Sequence, residues 1–323
     1  MLCHCWFIVC LIIPGSFPRA IHKGFKTCPV QKAAARKEET LGSMSVKSAV
    51  NAGKVNWPTV TAWDKISPKW PLNKENVLLT LISWHRSILC SREITKKQSL
   101  STSTLRIKPN FLTSFFPGTG GFWLSLKTYC AESTVVCMTI PYWNWSKKTH
   151  HWWRGSGNED LWNSGDYGLG GDGSVHGENC VENGPFSKDK WCLLDVSGGG
   201  CLKRKFLKRS IKYDVQHVNR TLSLPLEDFE NFEETIRVTY HNEPHNVIGG
   251  TMVDPLVTAN APEMLLHHSF VDKLWYEWQK RGDEYKNAYF PRVPFKLHGS
   301  NYYVWEWINS RNLPGQVKVL YEE

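Results

Sequence analysis

The stretch from Tyr240 to Gln279 constrains the fold of this chain most strongly, because it predicts two helices that both carry histidine. His241 and His245 are four residues apart, so on a helix they lie on one face, one turn above the other. His268 follows a loop-like interval, inside a segment MLLHHSFVDKLWYEW whose apolar residues recur at helical spacing. Two imidazoles from one helix and a third from a facing helix leave an open ligand position, which suits copper or zinc.

Two nearby residues refine this metal-site hypothesis. Asp272 lies one helical turn after His268, where its carboxylate is expected to orient a ligand imidazole. Asn242 follows the first histidine at the position where a zinc protease of the H-E-x-x-H type needs its glutamate, so that class is excluded. The histidine pair alone is a weak signal, because two surface histidines at this spacing are common.

The wider pattern around the pair is more specific. It reads HNxxH, then GGxM, then N-x-P-x-x-x-x-H-H-x-F-V-D-K-L-W. This pattern resembles the CuB half of the tyrosinase, catechol oxidase and molluscan haemocyanin family. The resemblance implies a mainly α fold: a type-3 copper four-helix-bundle core with long Gly- and Trp-rich loops and a short C-terminal β segment. It also implies that copper is bound by His241, His245 and His268, the second member of the His267–His268 pair.

A second motif, SWHRSIL, resembles the end of the family's other copper site, CuA. The resemblance makes His85 the third CuA ligand, and Glu93 stands eight residues later as the motif requires. The family places its second CuA ligand nine residues before the third, and here that position is Asn76. The histidines further upstream, His4 and His22, do not have the family's spacing. As written, CuA therefore has one of its three ligands.

The segment LEDFENFEETIRVTY predicts a helix that leads directly into His241. In tyrosinases, a glutamate upstream of the first CuB histidine and the asparagine after it hold a water that accepts the phenol proton. Glu233, eight residues before His241, and Asn242 match these positions, so the resemblance implies catalytic roles for both. The alternative for Glu233 is a solvated carboxylate, because Glu230 and Glu234 stand beside it.

The function implied by the resemblance is that of a copper oxidoreductase that oxidises monophenols or o-diphenols to o-quinones with O2. Two-electron reduction of O2 needs two Cu(I) ions, and this chain supplies three ligands for CuB and one for CuA. The alternative is a catalytically impaired secreted or matrix protein that binds a single copper at CuB. A third hypothesis is a structural zinc module that uses the same three histidines.

Charge and composition divide the chain. Residues 1–120 hold 17 Lys and Arg against 5 Asp and Glu, a net +12, whereas residues 121–323 hold 22 against 25, a net −3. The basic excess is scattered among Ser, Thr and Pro, so we expect no nucleic-acid partner. Residues 21–75 are expected to be poorly ordered, and residues 76–323 to form the copper-binding domain, with an insert at about 94–120 that the family pattern does not match.

Secretion is expected from the first residues and from the cysteines. Residues 2–13 are an apolar run, too short to span a membrane but long enough for a signal-peptide core, which predicts a signal peptide over residues 1–20. Cys180, Cys192 and Cys201 crowd a Gly-rich loop region, which favours disulfides and an oxidising compartment. At the other end, YYVWEW and VKVLYEE alternate in a manner typical of strands.

Overall fold

A computed structural model describes residues 141–154, 160–166, 168–191, 193, 200–254, 257–289, 303–313 and 319–321. The expected signal peptide, the segment 21–75, the insert at 94–120, Asn76 and His85 lie outside these residues. No helix in the described part of the chain combines the length and the apolar character needed to cross a membrane.

The regular secondary structure of the described residues is helical, as expected. They contain the α-helices α1 (Val215–Leu222), α2 (Phe229–Glu234), α3 (Asn242–Ile248), α4 (Pro262–Gln279) and α5 (Asp283–Asn287). A π-helical turn, Thr235–Tyr240, joins α2 to α3, so that residues 229–248 form one helical segment. The remaining helical pieces are 3-10 turns at Trp145–Lys147, Val175–Gly177, Leu226–Asp228, Gly250–Val253, Thr258–Asn260 and Val304–Trp307.

Helix α4 forms the centre of the core. It begins with Pro262 at its first position, where the missing N–H has no helical acceptor to lose. All of its residues are buried except Lys273 and Glu277, so the helix contacts the rest of the protein on nearly every side. The Trp278 ring stacks on Phe232 of α2 at 3.9 Å between centroids, which packs the two histidine-bearing segments against each other.

The aromatic segment around residues 142–145 packs between these helices. Trp145 is fully buried and meets Phe270 of α4 edge-on at 5.2 Å and Tyr240 of the π turn at 5.9 Å. The backbone N–H of Trp143 donates to the Leu266 carbonyl at 3.0 Å. The dense aromatic residues of this segment are therefore core packing.

The long Gly- and Trp-rich loop is attached to the end of α3. The Lys205 N–H donates to the Ile248 carbonyl at 3.0 Å, and the Thr251 N–H donates to the Lys203 carbonyl at 2.8 Å. Gly250 has φ +57°, and a Cβ on it would lie 2.3 Å from the Lys203 carbonyl oxygen. Only glycine allows this close approach of the loop to the helix end.

A disulfide between Cys180 and Cys201 closes part of this loop, with 5.6 Å between the two Cα atoms. A disulfide in the cysteine-rich loop is thus confirmed; Cys192 lies outside the described residues. The cross-link thus joins Cys180 to the beginning of the stretch that pairs with α3, and Cys180 also forms a β-bridge with Lys203 in that stretch.

The prediction of a strand at YYVWEW is wrong, because Val304–Trp307 is a 3-10 helix. The Glu306 carboxylate accepts a hydrogen bond from the Tyr303 N–H at 2.7 Å, and the Glu306 N–H donates to the Tyr303 carbonyl at 3.0 Å. These two local bonds close a turn, and they outweigh the alternation of large residues that suggested a strand. The described ranges contain isolated β-bridges but no β-strand, and VKVLYEE is described only at residues 319–321.

Candidate metal centre

The three histidines expected to bind copper lie together in the core. The Nε2 atom of His268 is 3.2 Å from Nε2 of His241 and 3.2 Å from Nε2 of His245. All three side chains are buried. The structure therefore brings together the trio that the sequence pattern singled out, with the same ring nitrogen of each directed to one point.

The local backbone explains this convergence. His241 immediately precedes α3 and has helical dihedral angles, so it and His245 share one face, with 4.7 Å between ring centroids. His268 lies in the first half of α4, on the side that faces α3. One site is thus built from two helices separated by the Gly249–Gly250 turn and the 3-10 turns that follow.

Hydrogen bonds at the outer ring nitrogens fix the orientation of two of the imidazoles. Nδ1 of His245 lies 2.6 Å from the Met252 carbonyl oxygen, and Nδ1 of His241 lies 3.1 Å from the Asn242 side-chain oxygen. An oxygen of this kind only accepts, so each Nδ1 carries the proton and each Nε2 directs its lone pair into the site. The methionine of GGxM and the asparagine of HNxxH thus have a physical role in orienting the ligands.

Burial keeps the imidazoles neutral. Burial lowers the pKa of His245 to about 4, and burial with the neighbouring His245 lowers the pKa of His241 well below its usual range. The pKa of His268 is also held well below that range, first by burial and then by His241. Because a metal binds the deprotonated ring, these shifts leave the lone pairs available at neutral pH.

The donor set fits a transition-metal ion. Metal–nitrogen bonds of about 2.0–2.1 Å at tetrahedral angles would separate two ligand nitrogens by roughly 3.3 Å. The 3.2 Å separations from His268 to the other two rings match that spacing. Neutral imidazoles in a dry core suit copper or zinc, so geometry alone does not choose between them.

A fourth histidine, His267, was passed over as a ligand by the sequence pattern. It is fully buried, and the four histidines offer ring nitrogens that all lie within 4.8 Å of one another. Its Nε2 donates to the His241 carbonyl oxygen at 2.9 Å. The sequence signal for a buried His267 is its position in α4. Because this helix is buried on nearly every side, a residue next to a ligand must also contact the core.

Asp272 accepts a hydrogen bond from the Tyr321 hydroxyl at 2.5 Å. Burial, followed by the Asp272 charge, raises the pKa of Tyr321 well above 10, so the phenol keeps its proton and donates it. The expected effect of Asp272 on a ligand ring stays a prediction. The contact with Tyr321 could not be predicted from the sequence, because Tyr321 and Asp272 are 49 positions apart in the chain.

Glu233 is only 2% exposed, so the alternative of a solvated carboxylate is wrong. Its Oε1 accepts a hydrogen bond from Nε of Arg237 at 2.6 Å, while burial raises the pKa of the carboxyl. Among the contacts of the described residues, none links Glu233 to Asn242. The catalytic roles of both residues stay predictions, as does that of His85, which lies outside the described residues.

Comparison with known proteins is consistent with this centre. A family model described as the common central domain of tyrosinase matches residues 77–281, more than half of the 323 residues. A tyrosinase from Streptomyces antibioticus is 32% identical over 188 residues, which cover 52% of this chain and 63% of that protein. A tyrosinase-like protein from Diaporthe leptostromiformis is 31% identical over 201 residues, which cover 53% of this chain and 49% of that protein.

The chain thus spans about half of the length of the Diaporthe protein and less than two thirds of the length of the Streptomyces tyrosinase. A solved structure, a polyphenol oxidase from Thermothelomyces thermophila, shares the fold with a TM-score of 0.54 at 16% identity, covering 91% of this chain and 94% of that one. The family uses copper, and the buried histidine cluster is a possible metal site. A matched central domain and a buried trio of convergent imidazoles lead to one conclusion: the chain belongs to the tyrosinase family.

Proposed function

We propose that His241, His245 and His268 bind copper and that the protein uses O2 to oxidise monophenols or o-diphenols to o-quinones. The observation that carries the proposal is the pair of 3.2 Å separations between Nε2 of His268 and the Nε2 atoms of the other two rings. Copper held there would supply a redox-active ion that exchanges electrons with O2 and the phenol.

The protein's own contribution is a rigid and dry ligand set. The Met252 carbonyl and the Asn242 amide oxygen hold the outer protons of two rings, so the rings need no reorientation when the metal arrives. Trp145 and Phe270 pack beside this region and exclude water from the core. For Glu233 and Asn242 we propose the family role of holding a water that accepts the phenol proton, and the raised pKa of the Glu233 carboxyl would make it a stronger base than an exposed glutamate.

A second candidate function is favoured by the incomplete CuA motif. Asn76 stands where the second CuA ligand is expected, and His85 is the remaining match to that site. A protein with CuB alone would bind one copper and would lack the partner ion needed to deliver two electrons to O2. It would then act as a copper-binding relative without turnover.

Metal content and turnover measured on the same full-length preparation separate these functions. The protein is loaded with copper, desalted and analysed for copper and zinc per chain, and O2 uptake is followed with tyrosine and L-DOPA. Two coppers per chain with quinone formation supports the oxidase, and one copper without O2 uptake supports the second candidate. Zinc retention with no copper binding overturns both.

Replacing the three core histidines by alanine tests the proposed site, and this variant should bind no copper there. The matched control replaces three exposed loop histidines instead, and its copper content should be unchanged: His150→Ala, His151→Ala and His176→Ala. Unchanged copper content in the triple variant of the core histidines would overturn the proposed site.

We also propose that the protein is secreted. The Cys180–Cys201 disulfide supports this proposal, because such cross-links persist in oxidising compartments. Expression in a eukaryotic host should deliver the chain to the medium, and removing residues 1–20 should abolish that delivery. Equal amounts in the medium with and without these residues would contradict the signal-peptide prediction.

A further inference from the structure

The backbone around His241 is irregular. The His241 N–H donates to the Ile236 carbonyl, five residues back, at 2.8 Å, which is the spacing of a π turn. Three residues later Pro244 lacks an N–H, so it cannot donate to the Tyr240 carbonyl four residues before it. The helix that carries two ligands is therefore weakened on both sides of the first ligand.

His267 of α4 contacts the backbone at this weak point. Its Nε2 lies 2.9 Å from the His241 carbonyl oxygen, and its ring stacks on the His241 ring at 5.6 Å with 20° between the planes. A carbonyl oxygen only accepts, so Nε2 of His267 carries a proton and serves as the donor. The remaining nitrogen, Nδ1, is buried and has no hydrogen-bond partner among the described residues.

Neighbouring residues on α4 therefore make different contacts with the same histidine. Side chains of adjacent residues leave a helix about 100° apart, so His267 and His268 approach His241 from different directions. His268 approaches the Nε2 atom of His241, whereas His267 approaches the carbonyl oxygen of the same residue. His268 thus faces the metal site beside the His241 ring, whereas His267 holds the His241 backbone relative to α4.

We propose that His267 is a positioning residue for the metal centre. Its Nε2–H donates a hydrogen bond to the His241 carbonyl oxygen, and this bond sets the distance between the two ligand-bearing helices. The proposal rests on the copper site proposed above and deepens it. His267 is not a ligand through Nε2, because that nitrogen is protonated and engaged. Removing the donor releases the helix at the π turn and enlarges the spread of Nε2 separations, so copper binds more weakly at an otherwise complete site.

The test compares two variants of similar size. His267→Gln keeps an N–H donor, and His267→Met removes it. Each full-length protein receives one equivalent of Cu(II); its affinity is measured by competition with a chelator, and the nitrogen ligands are counted by electron spin-echo spectroscopy. We expect His267→Met to lose about 10- to 100-fold in copper affinity with the count of coordinated imidazoles unchanged, and His267→Gln to recover most of that loss.

Equal affinity in His267→Met and the wild type, with identical spectra, overturns the proposal. A count of imidazoles that falls by one in both variants also overturns it, because His267 would then be a ligand. A wild type that binds no copper at all contradicts the proposed function instead.

A second measurement does not need a variant. In metal-free protein labelled with 15N-histidine, NMR should detect a slowly exchanging proton on Nε2 of His267, and this proton should persist when diamagnetic Cu(I) is added. Its absence before addition, or its loss on addition, overturns the proposal even if His267→Met fails to fold.

Discussion

The guanidinium of Arg204 and the carboxylate of Glu263 form a fully buried ion pair with two hydrogen bonds, of 2.8 and 2.9 Å. Arg204 also donates to the Leu169 and Gly171 carbonyl oxygens, at 2.6 and 2.8 Å. Glu263 lies in the first turn of α4, the helix that carries His268. The pair therefore connects the Gly-rich loop to the start of a ligand-bearing helix.

Replacing Glu263 by Gln should destabilise the protein by about 3–5 kcal/mol, because the Arg204 charge would stay buried without its counter-ion. The free energy of unfolding in urea measures this loss. The exposed pair Lys203–Glu178, at 3.4 Å, provides the control: Glu178→Gln should change the free energy by less than about 1 kcal/mol. Equal effects of the two substitutions would contradict the importance of burial here.

Acid should destabilise the metal-free protein through its buried histidines. The pKa of His245 is about 4 in the folded protein, below the value near 6.5 expected when the chain is unfolded, so the unfolded state binds more protons between these values. The stability is complete above about pH 6.5 and is lost as the pH falls to about 4. His245 alone should account for roughly 3 kcal/mol of this loss.

Urea unfolding of chelator-treated protein at several pH values between 7 and 4 measures this dependence. His245→Leu removes the titrating ring, so its free energy of unfolding should vary less with pH over the same interval. A wild-type free energy that stays constant from pH 6.5 to 4.5 would contradict the burial of neutral imidazoles.

The Tyr321 hydroxyl should stabilise the protein by satisfying the buried Asp272 carboxylate. Tyr321→Phe keeps the ring that packs on Tyr276 at 5.2 Å but removes the donor, so we expect a loss of about 1–3 kcal/mol. Thermal or urea unfolding checks the loss. Tyr213→Phe is the matched control, because no described hydrogen bond uses that hydroxyl, and an equal loss in both variants would contradict the assignment.

Asp272→Asn tests whether the same carboxylate also affects the metal. If Asp272 orients a ligand ring, copper affinity should fall about 10- to 100-fold in this variant. Chelator competition at fixed pH measures the affinity. Tyr321→Phe, with Asp272 intact, should change the affinity much less, and an unchanged affinity in Asp272→Asn would refute the orienting role.

The Cys180–Cys201 disulfide should stabilise the loop that pairs with α3. A variant with serine at both positions should lose about 3 kcal/mol, since the cross-link restricts a loop of 21 residues in the unfolded chain. Unfolding with and without a reducing agent gives the comparison. The serine variant should not respond to the reductant, and a wild type that is equally insensitive would contradict the cross-link.

The sequence was sufficient for those parts of the fold where one periodicity dominates. The apolar residues of α4 and the four-residue spacing of His241 and His245 predicted helices, and the structure contains both. The helix expected at LEDFENFEETIRVTY is also present, as α2 and the π turn that follows it. The three candidate copper ligands were predicted from a motif. Their side chains converge because the two helices that carry them pack face to face.

Other features depend on contacts that no local pattern encodes. The Tyr321–Asp272 and Arg204–Glu263 pairs join residues that are far apart in the chain, so only the folded core reveals them. The strand expected at YYVWEW failed because the Glu306 carboxylate captures the Tyr303 N–H locally. The role of His267 was hidden because its partner is a backbone carbonyl, which any residue type could provide.

The π turn at Thr235–Tyr240 has a consequence for how this helix tolerates length changes. Such a turn holds one residue more than an α-helical turn, so deleting a single residue there should restore a regular helix without changing the faces on which Phe232 and the histidine pair lie. A deletion between His241 and His245 has the opposite effect, because it turns one of the two rings about 100° around the axis, away from His268. The helix therefore tolerates the loss of one residue before its ligands but not between them.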